Sequence, residues 1–134
     1  MTWLLDTNAC INYLRTGKNS PIAEQLAEKD AEQVVVCSVV RAELLFGAQK
    51  SRDAVENLAN VGKFLSRFAS FPFDDLAADV YGRIRADLTE RGLTIGPNDL
   101  FIASIALSRQ LTLVTHNVAE FSRVPGLNIE DWET

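Results

Sequence analysis

Three short apolar runs, each cut off by polar residues, limit what this chain can fold into. Thr2-Trp3-Leu4-Leu5 stops at Asp6-Thr7-Asn8, Val34-Val35-Val36-Cys37 stops at Ser38, and Leu111 to Thr115 stops at His116-Asn117. Runs of this length without apolar–polar alternation suit strands covered on both faces, as in a parallel sheet. The polar residues that follow them then line the carboxyl edge of that sheet.

The intervening segments read as helices. Ile11 and Leu14 lie three apart between Asn8 and Gly17, and Ser20 with Pro21 opens a helix to Lys29. Ser38 is read as the cap of a helix through Glu43 to about Lys50, and Val55, Leu58, Val61, Leu65 and Phe68 continue a helical stripe. Phe71-Pro72-Phe73 reads as a brief extended piece, after which Asp74 caps a helix ending at Gly92, with Ala77, Val80, Ile84 and Leu88 inward and Asp79, Arg83 and Asp87 outward. Pro97-Asn98-Asp99 opens a helix to Ser108 that is apolar on nearly every side and therefore central. A helical turn around Glu120-Phe121, an edge strand at Leu127-Asn128-Ile129 and an acidic tail close the chain. Strands alternating with helices predict an α/β fold, a doubly wound parallel sheet of four to five short strands. At 134 residues with no linker, repeat or low-complexity stretch, one domain over residues 1–134 is expected.

Composition narrows the function classes. At 47% hydrophobic and 23% charged residues, the chain is neither disordered nor fibrous. No apolar run approaches the roughly 18 residues of a membrane span, and Met1 to Leu5 meets Asp6 too soon for a signal peptide, so a cytoplasmic protein is expected. Two cysteines, Cys10 and Cys37, and the single His116 do not make a zinc set, and Cys37 reads as a buried strand thiol. A net charge of -5 argues against broad affinity for a polyanion but leaves room for a basic path to a metal-charged site.

In open parallel sheets ligands bind outside the carboxyl ends of the strands. Asp6 lies on that edge, Glu43 follows the second strand by six positions, Asp99 opens the central helix, and Asn117 follows the last central strand by two residues. Each has a structural reading as well: Asp6 as a helix cap, Asp99 at a helix start, Asn117 and Glu120 at capping-box spacing. Glu43 is harder to place that way, because Val39-Val40-Arg41-Ala42-Glu43-Leu44-Leu45-Phe46 sets a carboxylate within an apolar helix. Three carboxylates on one edge repel unless a cation neutralises them, and oxygen donors select Mg²⁺ or Mn²⁺. Such a site suits phosphodiester hydrolysis, and His116 is either an assistant or a surface residue.

Four segments carry a family likeness: Leu4-Leu5-Asp6-Thr7-Asn8, Ser38 to Gly47, Ile95 to Ala103 and Leu113 to Phe121. In order and spacing they resemble the PIN-domain ribonucleases, specifically VapC-type toxins, over essentially the whole chain. The resemblance places the family's acidic positions on Asp6, Glu43 and Asp99, with Asn117 and Glu120 completing an outer site and Thr7 and Thr115 orienting carboxylate or water. Asn117 stands where many members have aspartate. The resemblance further implies a Mg²⁺- or Mn²⁺-dependent endoribonuclease, aimed at structured RNA such as tRNA, that homodimerises and is silenced by a VapB-type antitoxin.

Other readings divide on specific residues. A phosphate-accepting receiver-like domain requires an acidic pair after the first strand and a lysine near the last, whereas Asp6 is followed by Thr7 and the last lysine is Lys63. A noncatalytic PIN-fold RNA-binding or scaffold module has no need of Asp6, Glu43 and Asp99 together. None of the seven glycines forms a nucleotide-binding loop. Scattered Arg15, Lys18, Arg41, Arg83 and Arg85 are candidates for RNA contact, or for plain solvated surface.

Overall fold

The apolar runs become the strands β1 (Trp3–Leu5), β2 (Val34–Cys37) and β4 (Thr112–Val114), joined at the edges by β3 (Ala69–Phe71) and β5 (Ile129–Glu130). The computed structural model describes all residues 1–134. The sheet order is β3-β2-β1-β4-β5 with every pairing parallel, and Leu4 sits between Val35 and Leu113 in register. All four residues of β2 are buried, so both faces of the sheet are covered, which is why no alternation marks the run. The chain winds from β1 outward to β3, then returns to the other side of β1 for β4. The reversal opens a crevice at the carboxyl ends of β1 and β4.

Seven helices make the cover: α1 (Thr7–Thr16), α2 (Pro21–Glu28), α3 (Ser38–Gln49), α4 (Ala54–Leu65), α5 (Asp75–Glu90), α6 (Pro97–Ser108) and α7 (Val118–Phe121). The central helix is α6, with Leu100 and every residue from Ile102 to Ala106 buried; Ser104 is tolerated there because its hydroxyl donates to the Leu100 carbonyl at 2.7 Å. One cluster of 31 buried residues runs through the sheet and its helices.

Four local expectations are corrected. Ser38 is the first helical residue of α3, not its cap; Cys37 holds the cap position without a side-chain bond, because Val34–Cys37 stays extended up to the turn. Val55 is 87% exposed, and α4 turns Val61, Phe64 and Leu65 inward instead; α4 ends at Leu65, leaving Phe68 outside it. The extended piece near Pro72 lies earlier, as β3, since proline has no N–H to continue the ladder. The last strand is Ile129–Glu130, not Leu127 to Ile129, paired with Leu113 and Val114.

The edge strand β5 is pinned by aromatic packing. Glu130 accepts the indole N–H of Trp3 at 3.1 Å and of Trp132 at 3.0 Å, and the Lys29 ammonium lies 5.0 Å and 5.1 Å from those two ring centroids. Trp132 is 2% exposed, so the tail is part of the fold.

Candidate active site

Asp6 leaves β1 with its backbone still in the ladder, its N–H donating to the Val114 carbonyl at 3.0 Å. Its side chain then caps α1, Oδ1 accepting the Ala9 N–H at 2.8 Å. Capping does not exhaust this carboxylate. Asp6 is 2% exposed, and burial raises its pKa to about 6; the Thr115 hydroxyl and Ala9 amide pull it down, while Glu133 and Glu43 push it up.

Glu43 reaches the same edge from the second turn of α3. The Thr7 hydroxyl, on the first residue of α1, donates to its Oε1 at 2.5 Å, tying the two helices together beside Asp6. Asp99 is the third residue of α6, where the helix dipole favours negative charge. Burial nevertheless pushes its pKa to about 7, helped by the charge and hydrogen bond of Glu120 and by Asp6 and Glu43.

Glu120 is a bracket between two loops. Its Oε1 accepts the Gly96 N–H at 2.7 Å and its Oε2 accepts Asn117 Nδ2 at 2.6 Å. Burial raises its pKa, but the bonds from Gly96, Asn117 and Asp99 and the charge of Arg123 outweigh it, leaving the carboxyl below its usual range. The two carboxyls are thus shifted in opposite directions, Asp99 up and Glu120 down. Asn117 occupies the cap position of α7 without capping it; its backbone N–H donates to Thr115 Oγ1 at 3.0 Å and its side chain serves Glu120. The capping-box spacing therefore marked a side-chain pair.

Asp6, Glu43 and Asp99 open into one cleft of about 930 Å³, together with Thr7, Phe46 and Lys50. No arginine or lysine pairs with any of the three; the ion pairs of the molecule are Arg91–Asp87, Arg109–Asp74 and His116–Asp131. An all-oxygen donor set not ion-paired to lysine or arginine suits a hard divalent ion. Asp6, Glu43 and Asp99 line the cleft but do not form a set whose ligand oxygens all lie within 4.8 Å of one another. The set that does lie that close is His116, Asp131 and Glu133, at the tail. His116 is exposed and its Nδ1 lies 3.0 Å from Asp131, which raises its pKa. It falls outside the cleft lining, as a surface residue would.

Of the basic candidates, Arg15 lines a second groove of about 560 Å³ that adjoins the cleft through Ile11, Glu43 and Gly47. Lys18, Arg41, Arg83 and Arg85 line neither hollow, and Arg85 donates to the Tyr81 hydroxyl. Sequence reasoning passed over Lys50, Lys63 and Arg67, which do line them. The available signal was weak: Lys50 lies seven residues after Glu43, two helical turns on.

The PIN domain family model matches residues 3–127. The tRNA(fMet)-specific endonuclease VapC of Salmonella typhimurium is 42% identical over 98% of both chains, and ribonuclease VapC2 of Rickettsia felis is 38% identical over 99% of both. The crystal structure of DNA-bound VapBC from Salmonella typhimurium contains a chain that superposes with a TM-score of 0.93 at 40% identity, again over 98% of each. With the four motifs brought to one sheet edge and the likeness running nearly end to end, the chain belongs to the PIN-domain family and is a ribonuclease of its VapC type.

Proposed function

We propose that this ribonuclease cuts structured RNA of the tRNA class, using Mg²⁺ or Mn²⁺ held by Asp6, Glu43 and Asp99, as the toxin of a pair with a VapB-type antitoxin. The observation that carries the metal reading is the charge pattern. Three carboxylates from three elements face one cleft, none of them ion-paired to a lysine or arginine, and two have pKa values pushed up to about 6 and about 7. Held by these three carboxylates, a divalent ion would offset their charge and supply Lewis-acid chemistry toward a phosphate and an attacking water. Around it the chain's own groups do the positioning. The Ala9 amide fixes Asp6, the Thr7 hydroxyl fixes Glu43, and Glu120 anchors the start of α6 through Gly96. Asn117 leaves its carbonyl oxygen for cation or water while its amide holds Glu120.

The tRNA reading rests on the Salmonella relative's substrate and its 42% identity. The antitoxin reading rests on the family and on the second groove. That groove has apolar walls, including Leu14, Val61 and Phe64, a basic rim of Arg15, Lys63 and Arg67, and an end at Glu43. An apolar helix seated there is positioned to send an arginine or lysine toward Asp6, Glu43 and Asp99 and so mimic the cation. Homodimerisation and a cytoplasmic location follow the family reading; no helix is long and apolar enough to cross a membrane.

The test is to sequence the RNA ends that appear after brief expression of the wild-type chain and of Asp6→Asn. New ends in a defined tRNA loop, absent with Asp6→Asn, support the proposal. Ends confined to other RNA classes refute the substrate, and identical ends from both proteins refute catalysis by this cleft.

A further inference from the structure

Phe46 is 64% exposed, on the face of α3 that lines the acidic cleft, three residues beyond Glu43. One helical turn, about 5 Å, therefore separates an open aromatic ring from a carboxylate of the site. The other aromatic in the cleft, Phe101, is only half-buried but is already engaged, stacked on Tyr81 at 4.9 Å and edge-on to Phe73 at 4.9 Å. Phe46 has no aromatic neighbour. Lys50 places its ammonium over the ring, 5.0 Å from the centroid, and forms no ion pair. Lys50 lines the same cleft.

We infer that Phe46 is a base-stacking platform, which receives a nucleotide flanking the cut while Lys50 meets an adjacent phosphate. The inference rests on the proposed RNA cleavage in this cleft and adds the residue that seats the strand. A flat apolar ring beside a free cation is the pairing that single-stranded nucleic-acid sites use, since every base has a stacking face and every linkage a phosphate. Acidic ligands alone cannot hold RNA, because they repel its backbone; a stacked base supplies attraction that does not depend on charge. The ring's exposure then has a use, where otherwise it only costs hydration. A protein partner over Phe46 would instead leave cleavage by the free enzyme unchanged.

The test uses purified full-length protein and a short RNA hairpin that the wild type cuts, with the cut mapped first. Absence of any wild-type cut would refute the parent reading of the cleft. With cutting established, Phe46→Ala should lower kcat/KM by about tenfold or more, chiefly through KM, and Phe46→Trp should restore it. Phe46→Leu keeps an apolar surface without the ring and should remain impaired. An abasic nucleotide is then placed in turn at each position flanking the cut. At the stacked position wild type and Phe46→Ala should cut at the same rate, because the base that distinguishes them is gone. Lys50→Ala should weaken the salt dependence of KM and leave the abasic pattern unchanged. Normal KM in Phe46→Ala, full rescue by Phe46→Leu, or an equal loss at every abasic position would overturn the assignment. So would a change in oligomeric state that accounts for the lost cleavage, since the ring would then serve a protein contact.

Discussion

At the β5 edge, Lys29 lies against two indole rings and Glu130 accepts both indole N–H groups; at the carboxyl edge, Asp6, Glu43 and Asp99 face one cleft with no lysine or arginine paired to them. Both regions place charge against partly buried surface. In the first Lys29 and Glu130 are answered by neighbours of the same chain, and in the second no lysine or arginine forms an ion pair with the three carboxylates. Pairing of the first kind stabilises a fold. Leaving like charges close and partly buried costs stability, and proteins tolerate that cost where a ligand or reaction requires it.

The largest expected effect separates the two regions by activity. Asp6→Asn should reduce RNA cleavage by about 10³-fold or more, equivalent to about 4 kcal/mol of transition-state stabilisation. Its fold should survive, since asparagine caps a helix as well as aspartate does. Glu43→Gln and Asp99→Asn should fall in the same class, read as initial rates on one RNA with circular dichroism confirming the fold. Near-normal rates in all three would return these residues to structural roles.

At the β5 edge the loss should appear in stability. Trp132→Ala removes a buried indole and should cost about 3 kcal/mol in denaturant unfolding. Glu130→Gln should cost less, since an amide oxygen still accepts hydrogen bonds. A small effect of Trp132→Ala would mean that the tail is a loose appendage and the contrast is false.

The third effect is a pH dependence. Asp6 and Asp99 have folded pKa values of about 6 and about 7 against 3.8 unfolded, so the native state holds their protons more tightly. Their stabilisation is fully present below about pH 4 and is lost as pH rises through about 6 for Asp6 and about 7 for Asp99. For Asp6 the loss is on the order of 2 kcal/mol, and for the half-buried Asp99 it is smaller than its shift implies because solvent screens it. Asp74 and Glu120, whose pKa values are lowered, act in the opposite sense, so the readout is the difference between wild type and Asp6→Asn in metal-free unfolding curves. Asp6→Asn should be the more stable protein at pH 8 and lose that advantage toward pH 4. Equal stability at both pH values would show that the Asp6 charge is not under strain.

The smallest effect tests the outer site. Asn117→Ala should slow cleavage by less than about tenfold, and Asn117→Asp should keep or raise metal affinity, measured by calorimetric titration with Mn²⁺. Weakened binding by Asn117→Asp would place position 117 outside the ion's reach.

The two regions also differed in how far the residues announced them. Val34–Cys37 and Pro97–Ser108 were legible because continuous apolar character has few uses besides a covered strand or a central helix. That Asp6, Glu43 and Asp99 share one cleft was legible because Asp6 ends a strand, Asp99 opens a helix and Glu43 is a carboxylate in an otherwise apolar helix. Ser38 misled, since a serine before an apolar helix is the usual cap but here the extended run of β2 ends on Cys37. Val55 misled because spacing alone does not say which face of a helix is inward. The brackets were beyond local reading. Glu120 with Gly96, Thr7 with Glu43, and Trp3 with Glu130 are separated by 24, 36 and 127 positions, distances that only the folded sheet closes.

The central claim is that the carboxyl-edge cleft is built for a cation from outside. It is tested most directly by stripping purified protein with chelator and returning Mn²⁺ in steps while following cleavage of one RNA. Cleavage should stop with the chelator and return with Mn²⁺ in the wild type, and should not return in Asp6→Asn. Undiminished cleavage by the stripped wild-type protein would contradict the account.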